Sequence, residues 1–353
     1  MGTYTIIYLS YNVLKIGFII LALALGYNLT GVLVAIIGSL TISLIVALAL
    51  IILQIGIQFP TFSNLKRYIR FGIPLTVSPA FGWIVSSIDR YMINSLIGVT
   101  SAGIYSAAYN VGRELFIFIW PINSVLFPTV SKSFDDGDLA KTKTYLQYTL
   151  KYLVMFTIPA AFGLSILAKP ILSILTTSEF LSGSNVIPFI AFCPIFLTLT
   201  VIGSNIFNIY YRTAWRSALL GLTAVINIIL NLILIPKFGI TGAAVATLIS
   251  YGSQTVMTLL VSRRYMKFSI SPLFVLKCLI ASSIMTLVIW LIHPESIITV
   301  LTSIVLGVVL YFVVLVSVKG FSKGEITFFI KFGKEILKRV QLTKGSLDKQ
   351  VRE

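Results

Sequence analysis

The sequence predicts an all-α protein that crosses a membrane several times. The chain has 353 residues and a mean hydropathy of +0.99. Hydrophobic side chains make up 57% of it and charged side chains only 11%, whereas charged residues are about a quarter of an average soluble protein. Apolar runs close to the ~20 residues that cross a hydrocarbon core recur along the whole chain. These features exclude a soluble globular fold and leave no room for a sizeable domain outside the membrane.

Ten apolar runs are long enough to be predicted as membrane spans, and each lies between charged or turn-forming residues. Because backbone polar groups inside a hydrocarbon core must be satisfied within the segment, each run is predicted to be α-helical. The predicted spans are residues 4–26, 30–53, 72–96, 102–128, 152–172, 185–208, 216–235, 240–262, 272–292 and 297–318.

The distribution of basic residues predicts the orientation in the membrane. The chain carries 27 Lys and Arg against 11 Asp and Glu, a formal net charge of +16. Counted over loops and the span edges beside them, nearly all Lys and Arg follow even-numbered spans or lie after Val318, and only Lys169 and Lys237 lie on the opposite side. Since cytoplasmic loops are enriched in Lys and Arg, both termini are predicted to lie on the cytoplasmic side of the cell membrane. The net charge is explained by this topology and by attraction to anionic membrane lipids, so it does not indicate a nucleic acid partner.

An internal repeat predicts how the bundle is divided. Residues 29–39, LTGVLVAIIGS, align without gaps with residues 240–250, ITGAAVATLIS. Parallel repeats build transporters from two lobes around a central site, and chance similarity between two apolar helices is the alternative. On the repeat interpretation the N-terminal lobe lacks its first four helices, so the chain is expected to be a shortened form. The predicted parts are the last two helices of that lobe (1–58), a cytoplasmic linker (59–71), a complete six-helix lobe (72–266), two additional C-terminal helices (267–318) and a basic amphipathic cytoplasmic tail (319–353).

Ionisable side chains inside the predicted spans are the candidate functional residues. They are Lys15, Asp89, Arg90, Arg113 and Glu114. At a helix centre each would cost roughly 2.5–3.5 kcal/mol on insertion scales, unless it is paired or hydrated. A water-containing passage through a transporter would remove this cost, and three basic side chains against two acidic ones favour an anionic substrate.

The predicted span 102–128 places an arginine among aromatic side chains. Tyr105, Tyr109, Arg113, Phe116 and Trp120 follow the i+4 and i+3 spacing of one helix face. Sugar rings stack on aromatic rings, and an Arg side chain holds a phosphate with two parallel hydrogen bonds. The residue types on this face are therefore suited to bind a sugar ring and a phosphate group. The alternative is that Arg113 pairs with an acidic residue on a neighbouring helix and only stabilises the bundle.

The other intramembrane charges leave similar alternatives open. Asp89 and Glu114 are each predicted to act in ion coupling or in a structural ion pair, with Arg113 as the proposed partner of Asp89. Arg90 is long enough to extend toward the lipid headgroups, whereas Asp89 is not. Lys15, at the middle of the first span, either binds a substrate phosphate or packs in the bundle with its amine directed outward.

The sequence carries no pattern typical of an enzyme. Its two cysteines, Cys193 and Cys278, lie inside apolar runs, and His293 is its single histidine. It contains neither a Gly-x-Ser-x-Gly elbow nor a phosphate-binding loop ending in Lys-Ser/Thr. We therefore predict no catalytic residue, no metal site and no cofactor.

Three segments resemble a known family. They are YIRFGIPLTVSPAFGWIVSSIDRYMINSLIGVTSAGIYSAAYNVG at residues 68–112, PINSVLFPTVSKSF at residues 121–134 and KFGITGAAVATLIS at residues 237–250. They resemble the polysaccharide-biosynthesis flippases, which include the O-antigen repeat-unit exporters and belong with the lipid II flippases and the multidrug and toxin extruders in one superfamily. Their most specific elements are Gly-Ile-Pro, Asp-Arg-Tyr and Gly-Ile-Tyr.

This resemblance implies a transporter that moves a polyprenyl-diphosphate-linked oligosaccharide from the inner to the outer leaflet by alternating access. Polysaccharide assembly proteins are then expected as partners, and Arg113, Arg90 and Lys15 would bind the diphosphate. Two alternatives remain, a drug or cation antiporter of the same superfamily and a truncated member without autonomous transport. A glycan polymerase or ligase is disfavoured because the predicted outer loops are too short.

Overall fold

The computed structural model describes residues 2–56, 65–268 and 271–321, together with residues 324, 325 and 327. All regular structure in these ranges is helical, which confirms the predicted all-α class. The predicted tail lies largely outside these ranges, as does most of the predicted linker. The helices are α1 (Gly2–Ala24), α2 (Leu29–Ile55), α3 (Leu65–Leu96), α4 (Val99–Arg113), α5 (Ile119–Asp135), α6 (Leu139–Ile166), α7 (Ala168–Leu175), α8 (Ile187–Ile209), α9 (Thr213–Ser262), α10 (Pro272–Ile292) and α11 (Ile297–Ser317), with 3₁₀ segments at Glu114–Phe118 and Ser178–Asn185.

Helix length and hydropathy are those of a multi-pass membrane protein. In the part of the chain that the structure describes, 7 helical stretches are long and apolar enough to cross a membrane. One of them, α9, has 50 residues, more than twice the ~20 residues that one span needs. Helices α1 and α3, with 23 and 32 residues, also reach this length. The chain is therefore a polytopic helical bundle, as the sequence predicts.

Helix α9 is a hairpin of two spans. Pro236 lacks the N–H that an α-helix needs, and Gly239 has non-helical angles of φ 59° and ψ −140°. Asn227 Nδ2 lies 3.3 Å from Ser250 Oγ, although the two residues are 23 positions apart. A straight helix would separate them by about 34 Å. The chain therefore turns back at Gly239, and the two predicted spans 216–235 and 240–262 are confirmed.

The predicted span 102–128 lies within one apolar helical stretch, residues 99–135, but the α-helix is interrupted there. Helix α4 ends at Arg113, a 3₁₀ segment covers Glu114–Phe118, and α5 begins at Ile119. Pro121 cannot donate the hydrogen bond that would join it to the carbonyl of Ile117, and its ring opposes the helical turn before it. A 3₁₀ turn advances each residue by about 20° more than an α-helical turn, so five residues rotate the following face by about 100°.

The predicted span 152–172 also differs from the helices found, because it covers the end of α6 and the start of α7. Helix α6 begins at Leu139, where the Asp138 carboxylate accepts a hydrogen bond from the Lys141 backbone N–H at 2.9 Å. Such a cap satisfies an N–H group that has no partner within the helix. The first turns of α6 are polar and precede its apolar part, and residues 168–175 form the separate helix α7.

The chain divides into two compact units, Met1–Phe71 and Gly72–Glu353. In the first unit, α1 packs against α2. The second unit contains two apolar cores. One joins α5, α6, α8, α10 and α11, and the other joins α3, α4, α7, α8 and α9. The second core holds α3 and α4 in contact and so positions the charged residues of both helices.

Each of the two repeat segments requires a glycine in the first turn of its helix. Helix α2 and the second half of α9 each have a glycine in their first turn, Gly31 and Gly242. A Cβ atom at Gly31 would lie 2.3 Å from Tyr27 Cβ, and one at Gly242 would lie 2.2 Å from the Leu234 carbonyl oxygen. Both separations are far below van der Waals contact, so each helix start approaches the preceding turn too closely for a larger residue.

Candidate functional site

The carboxylate of Asp89 lies inside the protein where α3 meets α4. Its side chain is fully buried, with 0% exposed. The Tyr105 hydroxyl of α4 donates a hydrogen bond to Asp89 Oδ2, and the Arg90 backbone N–H donates to Oδ1 at 2.9 Å. Both carboxylate oxygens therefore have a donor, which lowers the cost of burying a charged group.

Arg90 completes a compact group of charged and aromatic side chains. Its guanidinium carbon lies 4.4 Å from the centroid of the Tyr109 ring, and its Nη1 donates to the Ser86 carbonyl at 3.2 Å. The rings of Tyr105 and Tyr109 are 5.7 Å apart. We call Asp89, Arg90, Tyr105 and Tyr109 the Asp89 cluster. A cation is attracted to an aromatic face, so Arg90 is held against α4 and does not extend away from it.

The structure places both tyrosines of the Asp89 cluster inside the bundle. Tyr105 is 0% exposed and Tyr109 is 2% exposed. Their rings pack among α4, α8 and α9, and their side chains contact Asp89 and Arg90. Their predicted contact with a substrate stays a prediction.

Arg113 and Glu114 lie on the surface of the bundle at the end of α4. Tyr251 of α9 is within electrostatic range of Arg113. The predicted pair of Asp89 with Arg113 is not formed, since Tyr105 supplies the contact from α4 that the sequence assigns to Arg113. Nor does Glu114 lie within ion-pair distance of a basic side chain in the described ranges. The guanidinium of Arg113 is thus accessible from outside the bundle.

Trp120 belongs to a different face from the one predicted. It follows the 3₁₀ segment and is 60% exposed, whereas Tyr105 and Tyr109 point into the core. Phe116, between them, packs against Tyr251 with ring centroids 6.0 Å apart. The indole of Trp120 is therefore accessible, but it does not share a continuous aromatic face with the two tyrosines.

Lys15 belongs to the first compact unit, near the middle of α1. It is partly buried. Its Nζ lies 3.4 Å from Asn12 Oδ1 and 5.1 Å from the centroid of the Tyr11 ring. Both contacts come from its own helix, so no partner helix in the described ranges neutralises this ammonium group.

Buried amides form a polar contact that the sequence analysis missed. Asn227 and Asn231 are both 0% exposed, and Asn231 Nδ2 donates to Asn227 Oδ1 at 3.1 Å. Asn227 in turn donates to Ser250, which joins the two halves of the α9 hairpin. On α5 and α8, Asn205 donates to Asn123 at 2.9 Å. The sequence signal for this contact is the pair Asn227 and Asn231, four positions apart within an apolar run.

These side chains can bind an anion and stack on a sugar. An accessible guanidinium can hold a phosphate group with two hydrogen bonds, and an accessible indole can pack against a pyranose ring. Among the described residues no group of three His, Cys, Asp or Glu side chains is arranged to hold a metal ion. The arrangement is therefore suited to bind a ligand, and its charged side chains lie mainly on α3 and α4.

Comparison with known proteins identifies a matching family and several relatives. Residues 3–185 match the sequence model of a family described as "Polysaccharide biosynthesis protein". The chain is 28% identical over 225 residues to the probable low-salt glycan biosynthesis flippase Agl15 of Haloferax volcanii, covering 63% of this chain and 48% of the relative. It is also 28% identical over 238 residues to the probable flippase AglR of the same organism, covering 65% and 48%. The chain thus spans about half the length of these curated relatives.

A solved structure shares the fold. The lipid II flippase MurJ in its inward closed conformation aligns with a TM-score of 0.66 at 20% sequence identity. The alignment covers 86% of this chain and 65% of that chain. At this identity the likeness shows a common helical architecture, which agrees with the hairpin and bundle arrangement of α3–α11.

Proposed function

This chain belongs to the polysaccharide biosynthesis protein family, and we propose that it acts as a flippase for a polyprenyl-diphosphate-linked oligosaccharide in cell-surface polysaccharide biosynthesis. Two of its relatives are probable flippases, one of them for glycan biosynthesis. The substrate class is the one that joins a negatively charged diphosphate to a sugar chain, and it fits the accessible Arg and Trp side chains of this protein.

The observation that carries this proposal is the accessible guanidinium of Arg113 within an apolar stretch. Residues 99–135 have the hydropathy of a membrane span, and Arg113 lies about 20 Å along this stretch from its first residue. Facing acyl chains, the charge would cost roughly 2.5–3.5 kcal/mol. Facing a hydrated passage, it would cost little and would attract the diphosphate of the lipid carrier.

The other candidate residues have separate roles in this proposal. Arg90 and Lys15 provide further positive charge for the diphosphate, and Trp120 stacks on the glycan. The Tyr109 ring and the Ser86 carbonyl hold the Arg90 guanidinium in place, and Asp89 is the site where ion coupling would act. Breaking its contact with Tyr105 would release α3 from α4, a rearrangement that a transport cycle between inward-open and outward-open states requires.

The proposed transport cycle uses the two lobes that the internal repeat predicts. The last helices of the N-terminal lobe (1–58) and the six-helix lobe (72–266) would take part in an alternating-access cycle, in which the substrate site opens to one side of the membrane at a time. The additional helices (267–318) would cross the membrane, and the basic tail (319–353) would anchor the protein at the cytoplasmic leaflet. Both termini would be cytoplasmic in the cell membrane, where polysaccharide assembly proteins would deliver the lipid-linked substrate.

Genetic complementation tests the proposal. In a strain that lacks the gene and has lost surface glycan, the intact gene should restore surface glycan and remove the lipid-linked oligosaccharide that accumulates in the membrane. Arg113→Ala should abolish both effects at normal protein levels, and Arg113→Lys should restore them in part. Arg212→Ala removes an exposed arginine from the loop before α9 and serves as the matched control, with no expected effect.

Two results would contradict the proposal. Full export by Arg113→Ala would remove the carrier-binding role of this residue. Equal loss of export in Arg113→Ala and Arg212→Ala would show that the effect does not depend on position in the membrane-spanning stretch.

A further inference from the structure

A cavity opens between α6, α10 and the end of α11, away from the Asp89 cluster. Its volume is about 570 Å³, and its lining includes Lys151, Lys277, Tyr148, Phe274 and Leu273. Two basic side chains thus meet aromatic and aliphatic surface in one recess. All of its lining residues belong to the second compact unit.

The charges in this cavity leave an excess of one positive charge. Lys151 Nζ forms an ion pair with Glu325, at 2.6 Å and 2.7 Å from the two carboxylate oxygens. Lys277 Nζ donates to the Lys319 backbone carbonyl at 2.7 Å. That carbonyl has no formal charge, and in the described ranges no carboxylate lies within ion-pair distance of Lys277. A ligand with one negative charge would therefore neutralise the cavity.

The cavity lies where the apolar parts of its helices end. Helix α10 begins at Pro272 and α11 ends at Ser317, and Lys151 directly precedes the apolar part of α6. Beside the lysines, Leu273 is 61% exposed and Leu276 is 51% exposed. A ligand with a phosphate group and adjoining hydrocarbon chains matches this change from charged to apolar surface.

We infer that this cavity binds the phosphate-bearing headgroup of an anionic phospholipid. The phosphate accepts hydrogen bonds from Lys277 and Lys151, and the acyl chains lie along Leu273 and Leu276. Glu325 competes with the phosphate for Lys151 and so limits the affinity. This site shares no residue with the proposed transport site and does not depend on the transported substrate.

Lipid-dependent thermal stability of the purified full-length chain tests this inference. The protein in neutral detergent is titrated with dioleoyl phosphatidylglycerol or with dioleoyl phosphatidylcholine, and a ligand that binds the folded state raises the Tm. Phosphatidylglycerol should bind more tightly than phosphatidylcholine. Lys277→Gln should reduce this preference about tenfold, the effect of losing one charge-assisted hydrogen bond.

Two further variants separate a binding site from a structural effect. Glu325→Gln keeps an acceptor for Lys151 but removes the competing charge, so it should strengthen phosphatidylglycerol binding severalfold. Lys143→Gln removes the same charge as Lys277→Gln from an exposed position on α6 outside the cavity, and it should leave the preference unchanged.

The outcomes decide the inference in either direction. Opposite shifts for Lys277→Gln and Glu325→Gln support the headgroup site. Equal binding of the two lipids by the unmodified protein overturns it, as does a Lys277→Gln preference equal to that of Lys143→Gln. Inorganic phosphate is added in a parallel titration, and stabilisation by free phosphate equal to that by the lipid would also overturn the lipid assignment.

Discussion

Tyr105→Phe should destabilise the contact between α3 and α4 by about 2 kcal/mol. The substitution removes one hydroxyl and keeps a buried ring of nearly the same volume. Asp89 Oδ2 then loses its donor, while Oδ1 keeps the Arg90 backbone N–H. An unsatisfied buried acceptor costs roughly 1–3 kcal/mol, and more when it is charged. Neutral hydrogen bonds between membrane helices average only about 0.6 kcal/mol, so the charge of Asp89 is what makes the expected effect large.

Reversible unfolding in mixed micelles, followed by circular dichroism, measures this effect. A double-mutant cycle with Asp89→Asn should give a coupling energy above about 1 kcal/mol. Tyr109→Phe is the matched control, because it keeps the ring beneath Arg90 and removes a hydroxyl for which no hydrogen bond is described. The reasoning would be refuted if Tyr105→Phe and Tyr109→Phe lost equal stability, or if the coupling energy were zero within error.

Two further predictions concern helix packing. Gly242→Ala should lower the Tm or the folded yield sharply, because its Cβ would lie 2.2 Å from the Leu234 carbonyl oxygen. Gly103→Ala is the control and should leave both unchanged, because Gly103 has open space around it. Equal Tm values for the two variants in a thermal melt would contradict the packing argument. Asn227→Ala should cost about 1–2 kcal/mol in the same unfolding assay, since it removes the contact with Ser250 across the α9 hairpin, and an unchanged stability would show that this contact carries little energy.

The sequence predicts the helical elements best where turn residues interrupt apolar runs. Pro236 and Gly239 divide one long apolar stretch in two, and the hairpin of α9 is found there. Between Arg113 and Ile119 no such residue appears, and the aromatic spacing runs through without interruption. The α-helix is interrupted there because Pro121 cannot donate a hydrogen bond to the carbonyl of Ile117, one turn before it. A pattern of apolar positions does not show this missing bond.

The sequence identifies the candidate residues but not their partners. A charged residue in an apolar run is visible in the sequence, and this pattern indicates Asp89, Arg90 and Arg113 as candidates. The partner of Asp89 depends on which side of α4 packs against α3, and that is decided by buried contacts among several helices. Charge alone suggests Arg113 as the partner, whereas packing brings the Tyr105 hydroxyl to the carboxylate.

Cysteine labelling at Arg113 tests most directly whether this residue lines a hydrated passage that receives an anionic lipid carrier. The native Cys193 and Cys278 are buried, and only a thiolate in contact with water reacts readily. In intact membranes, Arg113→Cys should react with a charged, water-soluble thiol reagent at least about tenfold faster than Val305→Cys on the exposed apolar face of α11. Added polyprenyl-diphosphate oligosaccharide should protect the Arg113→Cys thiol. Labelling no faster than at Val305→Cys would place the side chain against acyl chains and contradict the proposed passage.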